Sequence, residues 1–213
     1  MDASLPSSLE AARVQGLPLA AYYIPDFITR DEQDWILGKI AAAPRPNWKQ
    51  LTHRRLQTWP SGLVQDKLLH APLPPWLEDP VVTRLLSLPV SEGNLQHIFA
   101  QSPHARPNHV LVNEYPPGVG IMPHKTAPRI GQSCALLLIT TESLYTDHFH
   151  GISDIDEDVD LSAEGGVVNW SLLGNPQEYA SGRNMRETRT SLTYRDVLSV
   201  SMVGRKLGLF EKR

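Results

Sequence analysis

Eighteen prolines are spread through the 213 residues, and they constrain the fold more than any other feature. Proline lacks an amide hydrogen and clashes with the preceding helical turn, so it ends helices and avoids central strands. Such punctuation argues against a helical bundle and for many short elements joined by turns. Residues 1 to about 18 read as a flexible, polar lead-in. A short strand is predicted over Leu19–Phe27. Thr29-Arg-Asp-Glu32 matches a capping box and predicts a helix to about Ala43, with Trp35, Ile36 and Ile40 inward. Pro44 and Pro46 stop it. Pro74 to Leu77 opens a second helical region, and Pro80 leads into Val81–Leu88. Residues 89–107 read as a loop. Strands are predicted over His109–Tyr115, Leu136–Thr140, Leu144–Phe149, Val167–Leu173 and Thr188–Val200. Helices first and short strands after make an α+β chain with a small sandwich or barrel. The expected division is a helical part over about 19–107 and a β-core over about 108–213.

The net charge of −3 sets up no global field for nucleic acid, so binding there would need a local basic patch. The one cysteine, Cys134, excludes an intramolecular disulfide and a Cys-rich zinc site. The first residues lack the basic start and apolar run of a secretory signal. The longest apolar run, Cys134–Ile139, is too short to span a bilayer. The expectation is a protein of the nucleus and cytoplasm, with no membrane partner.

Several groups of residues point to chemistry. Pro123-His124-Lys125-Thr126 has the form of a two-histidine, one-carboxylate iron motif in which Thr126 replaces the acid. A neutral hydroxyl is no substitute for an anionic oxygen. His148 and His150 stand two apart, so a strand would turn both to one face; each is otherwise a surface or packing histidine. On a strand, Arg189, Ser191, Thr193 and Arg195 share a face. Two guanidiniums there are costly to bury without an anion, and a dicarboxylate suits their forks. The alternative is a solvated face with two surface arginines. Asn113 and Tyr115 share a strand face and would donate to a bound carboxylate, or simply pack the sheet. Trp48, Lys49, His53, Arg54, Arg55 and Trp59 read either as a substrate lid or as a basic surface loop anchored by core tryptophans. The acidic stretch Ser153–Asp160 reads as a solvated loop.

Taken in order, Asn113-x-Tyr115, His124, His150-Gly151 and Arg189-x5-Arg195 resemble the AlkB family of iron(II)/2-oxoglutarate dioxygenases. Tyr22-Tyr-Ile-Pro-Asp-Phe-Ile28, Arg55-Leu-Gln-Thr-Trp59, Leu73-Pro-Pro-Trp-Leu77, Asn108-His-Val-Leu-Val-Asn113 and Gly120-Ile-Met-Pro-His124 resemble the family's homologue-six subgroup. The resemblance runs from about residue 19 to the end. It implies a double-stranded β-helix of jelly-roll type with N-terminal helices packed on it. Its metal would be Fe(II), held by His124 and His150, with dioxygen and 2-oxoglutarate as co-substrates. It implies no catalytic residue beyond that metal site. Arg189, assisted by Tyr115 and Asn113, would meet the far carboxylate of 2-oxoglutarate, and Arg195 the carboxylate at the iron end. Trp48, Arg55 and Trp59 would belong to the substrate lid. The implied reaction is oxidative demethylation or hydroxylation of an alkylated nucleic acid or a methylated protein.

The chain departs from the family at one place. The family motif is His-x-Asp, and here it is His124-Lys125-Thr126. His150 follows His124 by only 26 positions, where the family has several tens of residues. The resemblance lapses between Thr126 and Ala135. An internal deletion after His124 would account for the missing acid and for some missing core strands. It would leave a catalytically impaired or non-catalytic relative.

Overall fold

The computed structural model describes residues 5–17, 21–125, 137–140, 147 and 149–201, with the side chains of 123–125, 140, 149 and 150 excepted. Its helices are α1 (Arg30–Ala41), α2 (Pro75–Leu77) and α3 (Thr83–Ser87). Its strands are β1 (Ala21–Ile24), β2 (Lys49–Gln50), β3 (Arg55–Trp59), β4 (Leu68–Leu69), β5 (His109–Tyr115) and β6 (Ile121–Lys125). They continue with β7 (Leu137–Thr140), β8 (Phe149–Ile152), β9 (Glu157–Asp158), β10 (Asn184–Met185), β11 (Arg189–Arg195) and β12 (Val200–Ser201). The architecture is α+β.

The central feature is a four-stranded antiparallel sheet in the order β11-β5-β3-β2. The period of two gives it unlike faces. One face carries Val110 and Val112 of β5, Gln57 and Trp59 of β3, and Leu192 and Tyr194 of β11, and it packs on the helices. Val110 and Val112 are fully buried in a core with Ile36, Ile40, Leu77, Val81 and Leu85. Burying a side chain of that size stabilises by roughly 1.5–3 kcal/mol. Polar atoms inside this layer are matched. Gln57 donates through Nε2 to the Ile40 carbonyl (2.9 Å) near the end of α1, and its Oε1 accepts from Trp59 Nε1 (2.9 Å). The Tyr194 hydroxyl donates to the Leu77 carbonyl (3.0 Å). The Trp59 and Trp76 rings meet edge to face at 5.5 Å. The opposite face carries His109, Asn113, Tyr115, Arg189, Ser191 and Arg195.

The remaining strands form two-stranded pairs: β1 with β7, β6 with β8, β9 with β10, and β4 with β12, the last parallel. The Pro116–Gly120 turn docks β6 onto the chain leaving β8. A side chain at Gly120 would run into the Ile152 carbonyl, and one at Gly118 (φ +74°) into the Asp156 carboxylate. Only glycine permits that approach.

Several sequence expectations are met. The capping box on α1 is present, with Glu32 N–H donating to Thr29 Oγ1 (3.2 Å) and Thr29 N–H to the Glu32 carboxylate (2.8 Å). β5 has the bounds the alternation gives. Others are corrected. Trp35 is 46% exposed, not inward, and its ring instead takes Lys39 Nζ at 5.7 Å. Val167–Leu173 holds a 3-10 turn at Trp170–Leu172, because a short apolar run does not distinguish strand from turn. Of the strand placed over Leu144–Phe149, Phe149 belongs to β8, while residues 144–146 and 148 lie outside those described. The strand read from Thr188 to Val200 is broken after Arg195. There Asn108 clasps both backbone groups of Val197, and Asp196 pairs with His104. The acidic stretch is not wholly solvated: Glu157 pairs with Arg183 and Asp158 with Arg186.

Candidate active site

The register of β5 against β11 brings the anion-binding candidates together. Arg189 stands opposite Tyr115, Ser191 opposite Asn113, and Arg195 opposite His109. The Arg189 guanidinium lies 4.1 Å from the Tyr115 ring centre. Burial lowers the Arg189 pKa, and the nearby Arg186 and Arg54 guanidiniums add to the fall while Tyr115 opposes it. Among the described residues, Arg189 Nη2, Arg195 Nε and Asn113 Oδ1 are buried without hydrogen-bond partners. The amide of Asn113 turns over without a change of shape, so it presents either a donor or an acceptor there. Two guanidiniums and an amide with unmatched atoms on one covered face suit a bound carboxylate or other oxyanion. Orphaned atoms of this kind otherwise cost roughly 1–3 kcal/mol each.

His109 belongs to the same face. It is 1% exposed, and neither ring nitrogen has a hydrogen-bond partner among the described residues. Burial, and then the Arg195 guanidinium, push its pKa down to about 4. The Ser61 backbone opposes that fall weakly, short of hydrogen-bond geometry. His109 is therefore neutral near pH 7. Sequence reasoning passed over it, although the strand period already places it with Asn113 and Tyr115.

The two histidine candidates for metal meet through the backbone. β6 pairs with β8 so that His124 and His150 are cross-strand partners. A register irregularity lies between Ile121 and His124. Thr126 and His148 lie outside the described residues. Asp154 accepts from the Gly120 amide (2.6 Å) at the other end of the strand pair, so it is held away from the histidines. Among the described residues, no group of three or more His, Cys, Asp or Glu side chains is arranged to hold a metal.

The residues named for a lid lie on β3 and just before β2. Arg55–Trp59 is an interior strand of the main sheet. Trp59 faces the helices against Trp76. Arg55 forms a two-pronged pair with Glu114 (2.6 and 3.0 Å), which raises its pKa, and its guanidinium stacks 4.1 Å from the Trp48 ring. Arg55 and Trp48 are engaged with each other and Trp59 with Trp76 and Gln57, and by the alternation Arg55 and Trp59 stand on the reverse face from Asn113 and Tyr115. Arg54, one residue earlier, falls on the opposite face by the same alternation. Its guanidinium lies 5.6 Å from the Tyr115 ring centre, and its Nε is buried without a partner among the described residues. An open cleft of about 240 Å³ runs between Gln50, Thr52, His53, Arg54 and Arg55 on one side and Glu114, Pro116 and Val119 on the other.

The chain is similar to the probable RNA/DNA demethylase ALKBH6 of Danio rerio. The two are 32% identical over 245 aligned residues, which take in 94% of this chain and 95% of the relative. No family model matches the chain.

Proposed function

Because the chain belongs to the AlkB family of iron(II)/2-oxoglutarate-dependent dioxygenases, in its homologue-six subgroup, we propose that its site is built for oxidative demethylation or hydroxylation of an alkylated nucleic acid. The observation that supports this best is the β5–β11 face, where two guanidiniums and an amide carry buried atoms with no hydrogen-bond partner among the described residues. In a family whose co-substrate is a dicarboxylate, those atoms are matched when it binds. Arg189, with Tyr115 and Asn113, takes the far carboxylate, and Arg195 takes the near one. His109, neutral beside Arg195, adds no second charge to that end of the site. The fold that goes with this reading is a double-stranded β-helix lacking some core strands, preceded by the helical part. The substrate class follows the relative's description as a probable RNA/DNA demethylase. A methylated protein is the other substrate the family chemistry admits.

The donors available to iron do not complete the site. His124 and His150 are two neutral imidazoles, and Thr126 stands where the third, anionic ligand belongs. A second reading follows: a catalytically impaired relative that keeps the co-substrate cradle. The comparison supports it. Ninety-four per cent of 213 residues is about 200, so about 45 of the 245 aligned positions carry no residue of this chain. Disturbing even the groups that orient a metal ligand costs about 10- to 100-fold in affinity or activity, and losing the only anion costs more.

Anaerobic titration with iron(II) and 2-oxoglutarate separates the two. A metal-to-ligand charge-transfer band, with succinate formed on admitting oxygen, makes the chain an active dioxygenase. Binding of 2-oxoglutarate without the band or succinate selects the impaired reading. Absence of 2-oxoglutarate binding sinks both.

A further inference from the structure

The Arg195 end of the β5–β11 face holds a buried imidazole that the cradle leaves unused. His109 stands opposite Arg195 in the register and, by the alternation of β5, shares a face with Asn113 and Tyr115. It is 1% exposed, and among the described residues neither ring nitrogen has a hydrogen-bond partner. A histidine kept for packing alone pairs at least one nitrogen, because a buried polar atom left unmatched is costly. The two ends of the face also differ in charge. At the Tyr115 end, the Arg54 and Arg186 guanidiniums stand near Arg189. At the other end, Arg195 on β11 is the charged group that reaches His109, and the Ser61 backbone, just after β3, is the dipole that opposes it. A carboxylate offers about four lone-pair sites, more than the edge of one guanidinium fills. Arg195 Nε, unmatched among the described residues, covers one of them. The imidazole is the donor at hand for another.

We propose that His109 is a co-substrate contact: its imidazole N–H donates to the carboxylate that Arg195 meets, and binding of that carboxylate loads the second ring nitrogen with a proton below neutral pH. This rests on the cradle reading above and adds a residue to it. The direction follows from linkage. In the ligand-free chain, burial and then Arg195 hold the His109 pKa at about 4. An anion bound by both residues offsets the Arg195 charge and favours the imidazolium, so the pKa rises on binding. A group whose pKa rises on binding takes up protons as the ligand enters. Binding therefore tightens as pH falls from neutral toward 4. At pH 7 the ring is neutral in both states, and only its hydrogen bond counts.

The test is calorimetry of 2-oxoglutarate with the full chain, without iron, at pH 7 and pH 5. At each pH two buffers of different ionisation enthalpy are used, and the dependence of the heat on the buffer counts the protons taken up. The parent should take up a fraction of a proton at pH 5 and close to none at pH 7. His109→Gln keeps a donor but does not titrate, so it should remove that uptake and keep most of the affinity at pH 7. His109→Leu should lose the uptake and also about tenfold in affinity at pH 7, the worth of a hydrogen bond to a charged group. The ligand's own titration is common to all three, so the difference between parent and variant belongs to His109. Melting without ligand at pH 7 shows that the variants are folded. Uptake undiminished in His109→Gln overturns the proposal, as does full affinity in His109→Leu. A parent that binds 2-oxoglutarate with no uptake at pH 5 also overturns it and leaves the cradle reading standing. A parent that takes no 2-oxoglutarate, but binds succinate with an uptake lost in His109→Gln, upholds this contact and sinks the dioxygenase reading. A parent that binds neither overturns both.

Discussion

At the scale of single residues, burial decides which charges are available. Arg55 and Arg54 are neighbours in sequence with opposite fates. One spends its charge on Glu114, and the other keeps it beside Tyr115. His109 shows the same effect on a proton. Its pKa falls from 6.5 to about 4 in the fold, so the unfolded chain binds more protons between those values. The stability it contributes is present in full above pH 6.5 and is lost as pH falls toward 4. The loss is about 3 kcal/mol, at roughly 1.4 kcal/mol per unit. Urea unfolding at pH 7 and pH 4 checks this. His109→Gln should flatten the difference between the two by an amount of that order, and an unchanged pH dependence would place the acid lability elsewhere.

At the scale of elements, α1 is held at its start twice. Glu32 closes the capping box with Thr29 and also meets Arg84 of α3 through two bonds (2.6 and 2.7 Å). Arg84 is the main cause holding the Glu32 carboxyl below its ordinary range. Arg84 further donates to the Phe27 carbonyl (3.1 Å), so one guanidinium ties the chain before α1, the helix itself and α3. Thr29→Ala should cost about 1 kcal/mol, the worth of an N-cap. Arg84→Ala should cost more, since it frees Glu32 and the Phe27 carbonyl together. Denaturant midpoints of the two variants give the order, and equal losses would show that the Arg84 clasp adds nothing beyond the cap.

For the whole molecule, the unmatched atoms of Arg189, Arg195 and Asn113 make the cradle a place where stability and binding trade. A ligand that binds the folded chain alone stabilises it by mass action, about 2.7 kcal/mol at a hundredfold excess over its dissociation constant. Without iron, 2-oxoglutarate should therefore raise the melting temperature. Arg189→Met should abolish that shift while leaving the ligand-free melting temperature at or above the parent's, because an uncompensated buried cation has been removed. A ligand-free variant that melts well below the parent would mean that the contact of Arg189 with Tyr115 carries the sheet.

Local rules determined much by themselves. The capping box, the bounds of β5 and the α+β order follow from spacing, because a cap or an alternation needs only neighbours in the chain. The same alternation on β11 put Arg189 and Arg195 on one face. The ordered words of Asn113, Tyr115, His124, His150, Arg189 and Arg195 gave the family, which the relative bears out. Tertiary structure decided what touches what. The sheet order β11-β5-β3-β2 set Tyr115 opposite Arg189, pairing of β6 with β8 set His124 opposite His150, and the place of β3 inside the sheet turned Arg55 and Trp59 toward the helices. Trp35 was misread because a helix's apolar stripe shows which side is buried only once its neighbours are in place. Cross-strand partners far apart in the chain leave no trace in its spacing, so the grouping of the site, and the approach of Arg54 to the Tyr115 ring, come from the fold.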